Sequence, residues 1–453
     1  MRTPKLFGTD GMRGVAGHYP LDPDTVWKFG KALGTLLREE VDGAARPRIV
    51  LGEDTRESSS KISRVLAGGL QSTGSEVLYA GVITTPGVAF LTRQHGCAAG
   101  IMVSASHNPY RDNGIKVFAS SGLKLSETQE VAIELALERQ RSRKESLSGE
   151  PLIADPALLE QYLRYLQGIL PEGVALPKKP LVVDCAHGAA SRVVPAFLKN
   201  LGIEARIFNA SPNGRNINHQ CGALFPERMA EETRSCEAHL GVAFDGDADR
   251  AIFATSAGQI AGGDHVLYAV APFLERNHKL KGHTVVGTLM TNLGLEIALE
   301  GFGIGLARTA VGDKYVLEEI LRSGYSLGGE PSGHIIFADL SLAGDGILTL
   351  LQVLRLVAET GVSFRELVAG LNPFPQLIRN VPVREKRPFE SLPEVKRIIE
   401  TCQNEVGKRG RVIVRYSGTE RLARVMVEAE DMDTVERQAT RIASAIELAI
   451  GSG

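Results

Sequence analysis

The sequence has 453 residues, 43% of them hydrophobic and 23% charged, an ordinary globular composition in a chain too long for one core. The formal net charge of −2 gives no electrostatic indication of nucleic-acid or membrane binding. The N-terminus lacks the apolar stretch of a signal peptide, and no run reaches transmembrane length. Because the five cysteines show no CxxC spacing, we expect reduced thiols and a cytoplasmic protein.

The first predicted segment, residues 1–150, opens with a glycine-dense stretch over 3–17 that contains Arg13. Such a loop lets the backbone approach a ligand closely, and the arginine could bind a phosphate. The alternative is a loop that packs on a neighbouring element. Strand–helix alternation typical of the α/β class follows. We predict strands over 48–52 and 76–80, and helices over 25–40, 60–72 and from a capping box of Ser126 and Gln129 to about residue 143.

A serine-rich turn follows the apolar run 98–103, in the order Ser-Ala-Ser106-His107-Asn-Pro, with Lys116 ten residues beyond Ser106. An apolar strand that ends in a polar, proline-terminated turn predicts that Ser106 is exposed at the carboxyl end of the strand. A serine needs activation or covalent modification before it reacts. The alternative is a turn in which serine and asparagine bond only the backbone.

In the second segment, residues 151–256, a predicted strand leads into Asp245-Gly-Asp247-Ala-Asp249-Arg250. Three carboxylates at alternate positions can converge on Mg²⁺, and without a cation they would repel one another. An EF-hand is excluded because arginine and serine stand where its glycine and glutamate belong. A haloacid-dehalogenase-type loop expects threonine or valine in place of Asp249. A solvated acidic turn is the alternative. The other predicted elements are strands over 180–184, 240–244 and 251–255, helices over 156–170 and ending near 202, and a long loop over 209–221.

The third segment, residues 257–370, repeats the alternation, with a strand over 284–289 and a helix from 346 to about 359. Gly312 lies in a predicted turn. A second loop combines Glu330, Ser332 and His334 between glycines. Carboxylate and hydroxyl groups suit sugar hydroxyls, and histidine titrates near neutral pH. A glycine turn with surface polar groups is the alternative.

The fourth segment, residues 371–453, predicts a small antiparallel sheet with two helices. Two of its strands are joined by a loop whose basic, hydroxyl and amide groups could hold a phosphate, provided by Arg415, Ser417, Gly418 and Thr419. An ordinary hairpin with an exposed arginine is the alternative. No P-loop motif is present in the sequence.

An exposed serine, a carboxylate cage, a sugar loop and a phosphate cradle together indicate phosphoryl transfer within a sugar phosphate. A phosphoserine carries roughly −1.5 to −2 charges, which a divalent cation would balance. A Mg²⁺-dependent sugar phosphatase would instead release inorganic phosphate, and a non-catalytic sensor would bind sugar phosphate without any dependence on Ser106.

These four motifs, in this order, resemble those of the α-D-phosphohexomutase superfamily along the whole chain. The resemblance implies four domains around a central cleft: three related α/β domains with mixed sheets and a smaller C-terminal α+β domain. It implies that Ser106 is a phosphoserine and, with Asp245, Asp247 and Asp249, a Mg²⁺ ligand. It further implies active-site roles for Arg13, His107, Lys116 and Arg250, with Lys116 and His334 transferring protons. The sugar would be bound by Glu330, Ser332 and His334. The phosphate would be bound by Arg415, Ser417, Gly418 and Thr419. We also expect Gly312 to contact the substrate.

The stretches LFGTDGMRG, LMTNLGLE and SGTERLARVMVE most resemble the bacterial phosphoglucosamine mutase branch. That resemblance implies interconversion of glucosamine 6-phosphate and glucosamine 1-phosphate for cell-wall precursors, with glucosamine or glucose 1,6-bisphosphate as activator. It implies a sugar phosphate as the partner and is compatible with a homodimer. Phosphomannomutase/phosphoglucomutase activity is the alternative. Three residues depart from the branch's usual glutamine, glycine and proline, namely Pro331, Ala248 and Arg421.

Overall fold

The computed structural model describes residues 6–8, 10–40, 45–140, 151–171, 173–174, 176, 178–417 and 421–452. Chain contacts divide it into two compact units. The first contains residues 1–290 and 304–369, and the second contains residues 291–303 and 370–453. The predicted boundary near residue 150 lies outside the described residues.

The first sheet has six strands in the order β1-β2-β6-β5-β3-β4, in which β3 runs parallel to β4 and β5 and the other pairs are antiparallel. Its strands are β1 Phe7–Gly8, β2 Gly11–Val15, β3 Arg48–Glu53, β4 Glu76–Val82, β5 Ala99–Val103 and β6 Asp112–Ala119. Its helices are α1 Pro23–Glu40, α2 Ser59–Gln71, α3 Thr85–Gln94 and α4 Glu127–Glu138.

Close packing of α1 on α2 covers one face of this sheet. A Cβ on Gly30 would lie 2.4 Å from the carbonyl oxygen of Leu66, so only glycine allows this approach. The capping box is confirmed, since Ser126 Oγ accepts from Gln129 N and Gln129 Oε1 accepts from Ser126 N. The helix that it begins ends at Glu138, before the predicted residue 143.

The second sheet has five strands in the order β11-β10-β9-β7-β8, parallel among β7, β8 and β9 and antiparallel elsewhere. Its elements are β7 Leu181–Asp184, β8 Ala205–Phe208, β9 Leu240–Phe244, β10 Ala251–Thr255 and β11 Ile260–Ala261, with α5 Pro156–Gln167, α6 Ala190–Asn200 and α7 Glu227–Ser235. All residues of β9 and β10 are buried, as continuous apolar runs predict. The long polar loop over 209–221 is confirmed.

The third sheet has four strands in the order β13-β12-β14-β15, of which only the β14–β15 pair is antiparallel. The elements of this stretch are β12 Thr284–Thr288, β13 Gly305–Thr309, β14 Leu327–Gly329 and β15 Ile335–Phe337, with α8 Gly263–Arg276, α9 Leu293–Glu300, α10 Asp313–Ser323, α11 Gly346–Thr360 and α12 Phe364–Val368. Helix α9 belongs to the second unit. Helix α11 begins where Asp345 Oδ1 accepts from the amides of Ile347 and Leu348.

The second unit contains an antiparallel sheet in the order β16-β18-β17. Its elements are β16 Gln376–Pro382, β17 Arg411–Tyr416, β18 Leu422–Glu428, α13 Pro393–Val406 and α14 Met432–Ile450. Valines of β18 pack against Val435 and Ile442 of α14, which gives this unit its own core. The predicted fold class is therefore confirmed, with three mixed α/β sheets and a smaller C-terminal α+β part. Among the described residues, no helix is both long and apolar enough to cross a bilayer.

Candidate active site

The turn after β5 places Ser106 in the interior of the first unit. Its side chain is 1% exposed, so the prediction of an exposed serine is wrong. The loop after β9 covers it, and Ser106 Oγ donates a hydrogen bond to Asp245 Oδ2 at 2.6 Å. Ser106 has a φ of 51°, a left-handed conformation that non-glycine residues seldom adopt. Strained backbone of this kind is common where a reactive side chain must be held in one orientation.

Buried polar groups that the sequence did not single out hold the Ser106 turn. The Arg56 side chain is fully buried and bonded to Asp54 Oδ2 at 2.9 Å. Its Nη2 donates to the carbonyl oxygens of Ser106 and Asn108, both at 2.9 Å, and its Nη1 donates to two further carbonyls of the loop. Asn218 Nδ2, from the long polar loop, donates to the same Ser106 oxygen at 2.8 Å. The Arg56 guanidinium and the Asn218 amide together therefore hold the backbone of the turn.

The three aspartates of the loop after β9 form a buried carboxylate cluster. One oxygen from each of Asp245, Asp247 and Asp249 lies within 4.8 Å of the others. Among the described residues, Oδ1 of Asp247 and Oδ1 of Asp249 are buried atoms with no hydrogen-bond partner. Burial, with the charges of Asp249 and Asp247, raises the pKa of Asp245 well above its usual value. Unsatisfied oxygens and crowded negative charge fit a divalent cation with oxygen ligands.

Ala248, which lies between Asp247 and Asp249, is one of the departures from the branch pattern. Ala248 has a φ of 57°, in the left-handed region. Glycine adopts this conformation without steric cost, which accounts for glycine being common there. Ala248 adopts it while fully buried, and its amide donates to the carbonyl of Asp245 at 3.1 Å.

Lys116 projects from β6 into the carboxylate cluster. Its Nζ lies 2.9 Å from Asp10 Oδ2, 2.8 Å from Asp247 Oδ2 and 3.3 Å from Asp249 Oδ2. Burial disfavours the ammonium, but these three carboxylates outweigh burial and raise the pKa of Lys116 well above its usual value. Lys116 is therefore positively charged here and is placed to donate a proton or to bind a phosphoryl oxygen.

The loop predicted to bind sugar is the tight turn between β14 and β15. Glu330 Oε1 accepts a hydrogen bond from the Gly312 amide at 3.0 Å, which brings two predicted substrate residues together. His334 Nδ1 lies 3.8 Å from Asp249 Oδ1, and its Nε2 lies 3.5 Å from Asp313 Oδ2. Burial lowers the pKa of His334, but the two aspartates outweigh burial and raise it. Ser332 lies in the same turn, partly exposed.

Three further predicted residues surround the Ser106 turn. Arg13 Nη1 donates to the carbonyl of Ala105 at 3.3 Å, and Arg250 Nε lies 3.8 Å from Asp249 Oδ1. His107 Nδ1 lies 3.2 Å from Ser106 Oγ. Burial and the positive charges of Arg250 and Arg13 lower the pKa of His107 to about 4, so its ring is neutral near pH 7.

The structure adds three partly buried charged residues to the site that sequence reasoning did not select, namely Asp10, Lys124 and Asp313. Lys124 Nζ contacts Asp10 Oδ1 at 2.5 Å and Asp313 Oδ2 at 2.6 Å. Asp10 lies in the glycine-dense stretch that contains Arg13, and Asp313 directly follows Gly312. Both aspartates are therefore close to residues that the sequence analysis selected. Lys124 follows an ordinary glycine turn and gives no local signal.

The structure describes two of the four residues predicted to bind phosphate, and both lie in the second unit. Arg415 pairs in register with Arg424 across β17 and β18, and burial and the charge of Arg424 lower the pKa of Arg415. Ser417 is buried, and its carbonyl accepts from Lys386 Nζ at 2.6 Å. The other two predicted loop residues, Gly418 and Thr419, lie outside the described residues.

Comparison with known families gives four matches to sequence models of phosphoglucomutase/phosphomannomutase. Three are its alpha/beta/alpha domains I, II and III, which match residues 4–144, 160–258 and 262–374. The fourth is its C-terminal domain, which matches residues 379–445.

Curated relatives extend the likeness over nearly the whole chain. The phosphoglucosamine mutase of Solibacter usitatus is 50% identical over 446 residues, covering 98% of this chain and 99% of that protein. The phosphoglucosamine mutase of Koribacter versatilis is 50% identical over 455 residues, covering 99% of this chain and 97% of that one.

Solved structures share the fold. A phosphoglucomutase/phosphomannomutase family protein from Burkholderia thailandensis superposes with a TM-score of 0.80 at 24% identity, covering 98% of this chain and 97% of that one. Aspergillus fumigatus N-acetylphosphoglucosamine mutase, solved with GlcNAc-6P and magnesium, superposes with a TM-score of 0.64 at 22% identity, covering 91% and 85%.

Proposed function

This chain belongs to the phosphoglucomutase/phosphomannomutase family, and we propose that it is an isomerase that interconverts glucosamine 6-phosphate and glucosamine 1-phosphate. The observation that carries the chemistry is the 2.6 Å contact between Ser106 Oγ and Asp245 Oδ2, which places a nucleophilic oxygen against the carboxylate cluster. The names of the relatives that are 50% identical support the amino sugar.

In this proposal Ser106 carries a phosphoryl group before substrate binds. A hydroxyl of the sugar monophosphate attacks phosphorus, the bond between phosphorus and Ser106 Oγ breaks, and a 1,6-bisphosphate forms. The attacking hydroxyl loses its proton and the serine oxygen gains one. The bisphosphate then reverses its orientation, and Ser106 Oγ takes the other phosphate, which leaves the isomeric monophosphate. Free glucosamine or glucose 1,6-bisphosphate would phosphorylate Ser106 initially.

Ser106, Asp245, Asp247 and Asp249 would hold Mg²⁺, whose fit rests on the unsatisfied buried oxygens of the cluster. When bound, the cation balances phosphoserine charge and polarises the transferring phosphoryl group. Arg56 and Asn218 hold the Ser106 backbone through its carbonyl oxygen, which limits the directions from which a phosphoryl group on Oγ can be approached.

The proposed proton-transfer residues are Lys116 and His334. Neighbouring carboxylates raise the pKa of each, which favours its protonated form. Both are suited to protonate a departing oxygen, and either would act as base after that transfer. Arg13, His107 and Arg250 surround the transferring group in this account.

Substrate contacts are proposed for two loops. Glu330, Ser332, His334 and Gly312 would bind sugar hydroxyls, supported by the 3.0 Å bond that joins Glu330 to Gly312. The distal phosphate would be bound by Arg415, Ser417, Gly418 and Thr419. Support comes from the two arginines, Arg415 and Arg424, that face each other in register, because adjacent guanidinium groups favour an anion.

We propose domains at 1–150, 151–256, 257–370 and 371–453, each of which corresponds mainly to one family match. A cytoplasmic location and a homodimer stay predictions from the sequence.

The proposed function is tested by ³¹P NMR of the protein with Mg²⁺, a trace of the matching bisphosphate, and the 6-phosphate of glucosamine, glucose or mannose. We expect a 1-phosphate signal to appear fastest from the amino sugar. A faster reaction with glucose or mannose would assign the chain to the phosphomannomutase/phosphoglucomutase activity, and Pro331 would be the first residue to exchange for glutamine. Release of inorganic phosphate alone would show a phosphatase.

A further inference from the structure

A partly buried lysine joins two parts of the first unit at the candidate site. Lys124 lies between β6 and α4, and its side chain is 19% exposed. Its ammonium nitrogen lies 2.5 Å from Asp10 Oδ1, in the turn between β1 and β2, and 2.6 Å from Asp313 Oδ2, at the start of α10. The lysine therefore links the first sheet to α10, the helix that follows β13 of the third sheet.

Each of these carboxylates also contacts one of the proposed proton-transfer residues. Asp10 Oδ2 lies 2.9 Å from Lys116 Nζ, and Asp313 Oδ2 lies 3.5 Å from His334 Nε2. A continuous chain of charged contacts thus runs from Lys116 through Asp10, Lys124 and Asp313 to His334. Lys116 belongs to β6 of the first sheet and His334 to the turn between β14 and β15, so this chain connects groups that no single secondary-structure element holds together.

The charge of Lys124 is what allows the two carboxylates to share this space. Both lie within 2.6 Å of one nitrogen, so without the ammonium they would face each other at short range. Removing the cation from these partly buried ion pairs leaves two carboxylates without their counter-ion, which drives them apart or toward protonation. Burial opposes ionisation of Asp313, but Lys124 and His334 keep the pKa of Asp313 below its usual value.

We propose that Lys124 is a positioning residue, which fixes Lys116 and His334 relative to each other through Asp10 and Asp313. The proposal rests on the proposed phosphoryl transfer, because it assigns Lys124 to the geometry of that step. Among the described residues, Lys124 forms ion pairs with Asp10 and Asp313 and none with the carboxylate cluster. Its loss is therefore expected to affect turnover more than substrate affinity, since misplacing catalytic groups by a fraction of an ångström slows chemistry.

The experiment compares Lys124→Met with Lys124→Arg, and uses Lys28→Met as a matched control. Lys28 is a lysine of similar exposure, 16%, that pairs with Asp24 within α1. Lys124→Met should lower kcat at least about tenfold while KM for the sugar phosphate changes less than about threefold. Lys124→Arg, which keeps the charge, should recover part of kcat. Lys28→Met should leave both constants unchanged.

A readout without substrate separates this proposal from the proposed function. Hydrogen exchange should become faster at the Asp10 turn and at the first turn of α10 in Lys124→Met, and should stay unchanged there in Lys28→Met. If the wild-type protein does not isomerise glucosamine 6-phosphate, the proposed function fails, and the exchange comparison still tests whether Lys124 ties the two turns together.

A kcat of Lys124→Met equal to that of wild type, or a loss confined to KM, would overturn the proposal. If Lys124→Met does not fold, Asp313→Asn decides the matter. That variant cuts the contact chain on the α10 side and leaves the pair of Lys124 with Asp10 in place. It should lower kcat at least about tenfold, and unchanged turnover would overturn the proposal.

Discussion

The ammonium of Lys116 lies 2.8 Å from Oδ2 of Asp247, a residue 131 positions away in the chain. The contact brings the Lys116 ammonium, which projects from β6 of the first sheet, into the carboxylate cluster that follows β9 of the second sheet. It neutralises part of the negative charge of that cluster and leaves Oδ1 of Asp247 unsatisfied. A divalent cation and Lys116 are therefore expected to share the same carboxylates.

Metal binding should depend on Asp247. Asp247→Asn removes one of three carboxylates, so we expect Mg²⁺ affinity, measured by isothermal titration calorimetry, to fall at least about tenfold. Asp155→Asn is the control, because Asp155 caps α5 and asparagine caps a helix equally well. Equal Mg²⁺ affinity in wild type and Asp247→Asn would place the metal elsewhere.

Arg56 should support both the Ser106 turn and the stability of the first unit. Lysine in its place keeps the charge but cannot donate to so many carbonyls at once, so Arg56→Lys should lower kcat about ten- to a hundredfold. Arg56→Met also leaves Asp54 buried and unpaired, which should lower the unfolding free energy by about 3–5 kcal/mol.

The control for Arg56 is Arg215, whose ion pair with Glu57 is exposed. Exposed pairs contribute little, so Arg215→Met should change stability by less than about 1 kcal/mol in denaturant titrations. Similar effects of the two methionine variants would argue against a special role for Arg56.

Asp345 should make stability depend on pH. Burial raises the pKa of Asp345 to about 6, above its usual 3.8. Because the folded state favours the protonated acid, its contribution is fully present below the unfolded pKa and is lost as pH rises through about 6. From about pH 5 to about pH 7.5, wild type should lose about 1 kcal/mol relative to Asp345→Asn in metal-free buffer. Parallel pH profiles of thermal unfolding in the two proteins would contradict this.

Much of the fold could be predicted because its signals are local. The capping box of α4, the continuous apolar strands β9 and β10, and the two helices of the fourth segment follow from residue patterns within one element. The Thr-Thr-Pro sequence over 84–86 also fits a simple turn, but Thr84 caps α3 and Pro86 lies in the first turn of that helix. Threonine–proline sequences fit both structures, and packing on the sheet decides between them.

The candidate site was predictable where one loop holds the chemistry and not where distant segments meet. Asp245, Asp247 and Asp249 form their cluster within five residues. The burial of Ser106 depends on a loop 139 residues away, so the strand-end pattern alone predicted exposure. Lys124 and Arg56 acquire their roles from partners on other elements, and a lysine or arginine in a polar turn carries no sequence signal of burial.

The central claim is that Ser106 carries the transferred phosphoryl group, and the most direct test is its labelling by ³²P-glucose 1,6-bisphosphate with Mg²⁺. We expect the label on the Ser106 peptide of the wild-type protein, its transfer to added glucosamine 6-phosphate, and no label or isomerisation with Ser106→Ala. Label on another residue, or isomerisation that persists in Ser106→Ala, would contradict the account.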